Sequence, residues 1–127
     1  MRFGEVFNGV CGKNGWSVKG SEATLSLPGG RSQKVLWTQF RHEGKDLARL
    51  HSVIGAAGAD APVRLESALR LNFNLPHGAI AIHEGRLVLC ETFLVAEADP
   101  GEVESSIRFI AEMADRYERQ IFGTDRN

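Results

Sequence analysis

The chain opens on an apolar stripe of helical period. Phe3, Val6, Phe7, Val10 and Cys11 recur at three- and four-residue spacing, which puts them on one face of an α-helix. The stretch Gly12 to Gly15 ends that helix, and Gly4 and Gly9 within it lower its intrinsic propensity, so tertiary packing must hold it. Beyond Trp16 the period changes to two. Ala23-Thr24-Leu25-Ser26-Leu27 alternates apolar and polar, as a half-buried strand does. Pro28-Gly29-Gly30 is a turn, and Gln33 to Phe40 is a second strand rich in β-formers. Glu43-Gly44-Lys45-Asp46 is a second turn, followed by a third strand from Leu47 to Ile54. Turns this short between neighbouring strands predict an antiparallel meander.

Gly55 to Pro62 is small and polar and reads as a linker. Val63 to Leu75 is a second helix with an unusual wheel. Leu65, Leu69 and Phe73 form one flank, and Ala68, Leu71 and Leu75 an adjoining one, leaving Glu66, Ser67 and Arg70 outside. An apolar arc of roughly 200° is wider than a one-sided surface helix requires, so this helix packs on two things. Asn74 to Gly78 ends it. Ala79 to His83 and Leu87 to Val95 are strands joined in a hairpin through Glu84-Gly85-Arg86. Asp99-Pro100-Gly101-Glu102 then opens a last helix, with an acidic N-cap, proline at the first helical position and Glu at the third. Val103, Ile107, Ile110, Ala114, Tyr117 and Ile121 make its stripe, and Gly123 closes it. The expected order is α-β-β-β-α-β-β-α. Strands in consecutive antiparallel groups with flanking helices make the class α+β, a single domain over residues 1–127.

Charge removes several functions. A formal net charge of -1 supplies no overall field to draw in nucleic acid or an anionic membrane. No apolar run approaches the ~20 residues that span a bilayer, and the N-terminus lacks the apolar core of a secretory signal. Cys11 and Cys90 lie far apart and in no ligand-like cluster, which fits reduced thiols in a cytoplasmic protein. The four histidines, His42, His51, His77 and His83, show no metal-binding spacing, and no metal or other cofactor is expected. No GxSxG elbow surrounds any serine, and Cys90 sits in an apolar run that raises rather than lowers a thiol pKa. The glycine-rich stretches match neither phosphate-binding loop. Glu112, Asp115, Glu118 and Asp125 are expected to face outward from the last helix or to lie beyond it. Asp115 and Arg119, like Glu112 and Arg116, are spaced for surface ion pairs. The chain is therefore not expected to be an enzyme. Strand Gln33–Phe40 carries Val35 and Trp37 on one face and Leu36, Thr38 and Phe40 on the other. Helices on one side of a sheet cover only one such set, so Leu36, Trp37 and Phe40 are candidate partner-binding residues.

The element order, the broad middle helix and the long closing helix carry a resemblance. So do Leu69-Arg70-Leu71-Asn72 leading into His77-Gly78-Ala79-Ile80-Ala81, then Gly85-Arg86-Leu87-Val88-Leu89, Glu91-Thr92-Phe93, Ala114-Asp115-Arg116-Tyr117-Glu118 and Phe122-Gly123-Thr124-Asp125. Gly44 to Leu50 fits more loosely. The chain resembles the class I type III secretion chaperone fold, and within it the bacterial sensory transduction regulators. It departs from the acidic balance usual in secretion chaperones. The resemblance implies a homodimer that meets through the middle helix, with Leu65, Leu69, Leu71 and Phe73 at the interface, and hydrophobic patches that hold an unidentified protein or peptide client. The expected function is a non-enzymatic, chaperone-like or regulatory protein-binding module. Two alternatives stand beside it, a small-ligand or signal sensor using an apolar cavity and a small enzyme of unknown class.

Overall fold

A computed structural model describes residues 2–56 and 61–122. Its elements run α1 (Phe3–Asn14), β1 (Ser17–Lys19), β2 (Glu22–Leu27), β3 (Arg31–His42), β4 (Lys45–Ala56), α2 (Ala61–Phe73), β5 (Ala79–His83), β6 (Arg86–Leu94) and α3 (Pro100–Phe122), with single 3₁₀ turns at Pro28–Gly30 and Val95–Glu97. All neighbouring strands pair antiparallel in one sheet of order β1-β2-β3-β4-β6-β5. The architecture is α+β, as its periodicities imply, but the sheet has six strands rather than five. The addition is β1, which is too short to display a period. It exists because Ser17 and Lys19 pair with Thr24 and Glu22 of β2. Gly55 and Ala56, read as linker from composition, complete β4. Ala61 and Pro62, also read as linker, open α2, which ends at Phe73 rather than Leu75. Residues 57–60, and the stop at Gly123 with the segment to Asp125, lie outside the described residues.

Two hairpins share one device. Residues 43–44 link β3 to β4 and residues 84–85 link β5 to β6, and each pair is Glu-Gly with positive φ at both positions. Two-residue loops of that kind match the twist of the strands they join.

Both long helices lie on the same side of the sheet. From α1, Phe3, Phe7 and Val10 face the core, and from α3, Val103, Ile107, Ile110 and Ala114 do. They meet the alternate positions Ala23, Val35, Ala48, Leu50 and Leu89 of the strands. The start of α3 is capped as its sequence implies, with Asp99 Oδ2 accepting the Glu102 backbone N–H at 3.1 Å. The end of α1 turns through Gly15 at φ 71°, and the Trp16 N–H bonds back to the Cys11 carbonyl at 2.9 Å.

Asp115 is a correction. It is buried rather than solvated, and Arg31 at the start of β3 grips it with two nitrogens, Nε and Nη2, at 2.9 and 2.6 Å from Oδ1. Its position, one residue past Ala114 on the sheet-facing stripe, turns it inward. Its partner comes from 84 residues away in sequence, which no local spacing could reveal. Arg119 adds a longer pair at 3.4 Å, the one expected from sequence.

Where β4 bulges, between Val53 and Gly55, the missing side chain matters. A Cβ on Gly55 would lie 2.5 Å from the Phe122 ring, which anchors the end of α3 and lies beneath the Arg64 guanidinium of α2 at 4.6 Å. Gly55→Ala is therefore expected to lower stability by about 1–3 kcal/mol, read as a shifted urea midpoint. An unchanged midpoint would mean that Phe122 does not hold this corner.

Candidate functional site

Helix α2 sits at the edge of the structure, beside β5. Its inner flank belongs to the core: Ala68 is buried, and Leu65 and Leu71 pack partly buried against it, with Leu75 just beyond the helix end. Asn72 ties the helix to the edge strand, its Oδ1 accepting the Ile80 N–H at 2.8 Å. The outer flank is uncovered. Leu69 is 68 % exposed and Phe73 91 % exposed, and Ile82 on β5 adds a third apolar side chain at 57 %. The wide arc in the sequence divides into one part spent on the core and one part left in solvent. Of the four residues expected at a dimer interface, Leu69 and Phe73 stand outside, and Leu65 and Leu71 back them from within.

The three candidate partner-binding residues do not share a surface. Trp37 lies on the helix-covered face, its ring 5.5 Å from Phe3 and 6.2 Å from Phe7. A Cβ on Gly4 would approach its ring to 3.1 Å, which accounts for a glycine inside α1. Its outer edge borders a cavity of about 730 Å³ with Arg2, Asn8 and Asp46. Leu36 and Phe40 lie on the opposite, open face of the sheet, half-buried. There the Arg49 guanidinium covers the Phe40 ring at 4.6 Å and donates to Thr92 Oγ1 at 3.0 Å.

The open face holds features that local patterning could not reveal. His51 of β4 and His83 of β5 reach across β6 until their rings stand 5.3 Å apart. Val88 lies between them on that face and is only 3 % exposed. A trough of about 620 Å³ runs past them, lined by Lys34, Leu36, Val53 and Arg86 among others. Burial, then His83, then Arg86 hold the His51 pKa below its usual value of 6.5. Only the register across β4, β6 and β5 brings these side chains together.

The remaining polar chemistry is arranged for structure. Glu91 accepts a hydrogen bond from the Ser106 hydroxyl of α3 and lies 2.8 Å from His77 Nδ1, while the His77 ring packs on Phe109 at 4.3 Å. Ser106 therefore bonds a carboxylate rather than an imidazole, which is not the order that activates a serine. Burial pushes the Cys11 thiol up to about 11 and raises that of Cys90 as well, so neither is poised as a nucleophile. Among the described residues, no group of three or more His, Cys, Asp or Glu side chains is placed to hold a metal ion. No described helix is long and apolar enough to cross a membrane.

Comparison with known proteins follows the geometry. Residues 5–123 match the family model YbjN, described as "Putative bacterial sensory transduction regulator". A chain of the ExsC–ExsE complex superposes with a TM-score of 0.58 at 16% identity, covering 95% of this chain and 97% of its own. A chain of the HopA1–SchA chaperone–effector complex superposes with a TM-score of 0.57 at 7% identity, covering 92% of this chain and 93% of its own. At these identities the likeness is one of fold, and the fold is that of the type III secretion chaperones. No curated protein sequence matches significantly.

The histidine pair generates a pH prediction. Burial favours the neutral imidazole of His51, so the unfolded chain takes up this proton at higher pH than the folded one. Its contribution is complete above the ordinary imidazole range and is lost as pH falls through the lowered folded value. Thermal melts taken stepwise from about pH 7.5 to 5 should show stability falling on acidification, and His51→Gln should flatten that fall. The same slope in both proteins would place the effect on another group.

Proposed function

The chain belongs to the YbjN family of bacterial sensory transduction regulators, and on that premise we propose that it works as a homodimeric protein-binding module that holds a partner polypeptide in the cytoplasm. The observation that carries this reading is the uncovered flank of α2. Phe73 and Leu69 stand in solvent on a helix whose other side is already committed to the core. Burying such side chains is worth about 1.5–3 kcal/mol each, and a two-fold axis counts every one twice. Leu65 and Leu71 fix the helix from behind, and Ile82 widens the patch onto β5. The fold, shared with a chain of a chaperone–effector complex, supports a polypeptide as the external partner. Leu36 and Phe40 on the open sheet face are the residues we assign to that partner, while Trp37 secures α1.

Sedimentation velocity tests the dimer. The wild type is expected to sediment as a dimer at low micromolar concentration, and Leu69→Glu or Phe73→Ser to weaken association about 100-fold or more. Because both side chains are exposed, neither variant should lower the melting temperature of the monomer. A monomeric wild type, or variants that remain dimeric, would overturn the assignment of α2 as the interface.

A further inference from the structure

The near-zero net charge conceals a division between the two sides of the molecule. Helices α1 and α3 carry Glu5, Glu102, Glu104, Glu112, Asp115 and Glu118 against Lys13, Arg108, Arg116 and Arg119. The open face of the sheet has the opposite sign. Alternation and register direct Lys19, Lys34, Lys45, Arg49 and Arg86 to that face, against Glu22 of β2 and Glu84 of the β5–β6 turn, which both line the trough. Among the described residues only Lys34 of these five has a carboxylate partner, Glu22 at 3.3 Å.

These cations do not form a simple basic patch. Leu36, Phe40, Val53 and Leu94 lie between them, half-buried on the same face, along and beside the 620 Å³ trough. We infer that this face docks an extended acidic segment of a partner polypeptide, its carboxylates meeting Arg49, Arg86 and Lys34 while its alternate apolar side chains settle on Leu36 and Val53. An extended chain presents side chains of two kinds at a period of two, which is what an apolar floor between cations selects. Nucleic acid fits less well, because the Arg49 guanidinium already covers the Phe40 ring, which removes that ring as a stacking platform for a base. A membrane surface fits less well too, because the apolar side chains lie recessed between the cations instead of projecting past them.

This inference rests on the polypeptide-binding reading and adds the chemistry of the partner. The test uses the full chain and a fluorescein-labelled peptide of about 12 residues alternating leucine and aspartate, with matched peptides carrying lysine or serine in place of aspartate. Anisotropy should report saturable binding of the aspartate peptide, weakened about tenfold or more by raising salt from about 0.05 to 0.3 M. Arg49→Glu with Arg86→Glu should weaken it by about tenfold or more with no loss of melting temperature, whereas Leu69→Glu should leave it intact. No binding of the aspartate peptide, equal binding of the lysine peptide, or indifference to the double reversal would overturn the inference. So would a thymidine oligonucleotide that binds more tightly through the same arginines. A dimer that takes the serine peptide and ignores the aspartate one would overturn the acidic preference alone. A monomer that takes the aspartate peptide would overturn the dimer alone.

Discussion

The stripe of Val103, Ile107, Ile110 and Ala114 along α3 lies across the strands at Ala48, Leu50 and Leu89, and α1 packs beside it on the same side. This one-sided cover is the constraint from which the rest of the molecule follows. A sheet with both helices on one face buries one alternate set of strand side chains and leaves the other to solvent. Among the described residues no helix covers the second face, and Leu36, Phe40 and Val53 remain half-buried there. Helix α2, placed at the edge beside β5, buries one flank and leaves the other uncovered.

The same arrangement organises charge. Arg31 reaches from β3 into the helix layer and neutralises Asp115 there, so the buried carboxylate on α3 is matched by two guanidinium nitrogens. The surplus carboxylates stay on the outer helices and the surplus cations stay on the open sheet face. A chain of net charge -1 thereby acquires two surfaces of opposite character without any run of like charge in its sequence. At the edge, Asn72 occupies the outward N–H of Ile80, where an additional strand would otherwise bond.

Much was legible locally. The three helices, the two Glu-Gly turns, the Asp99 cap and five of the six strands each rest on a period or a turn chemistry confined to about a dozen residues. The breadth of the α2 arc was equally readable, although only one flank of it is spent on the core. The direction of each side chain along a strand was also available from alternation, which separated Leu36 and Phe40 from Trp37 before any pairing was known.

What the sequence by itself determined was the features whose cause lies within one element: type, cap, and which flank is apolar. Tertiary structure decided what depends on register or on partners distant in the chain. It recruited β1 through β2 and turned Asp115 inward to meet Arg31. It brought His51 and His83 together over Val88, and it assembled Lys34, Arg49 and Arg86 into one basic face. The reason is physical. A helical or strand period is written by neighbours a few residues apart, whereas the sign of a surface is a sum over strands whose order and offset exist only once the sheet has closed.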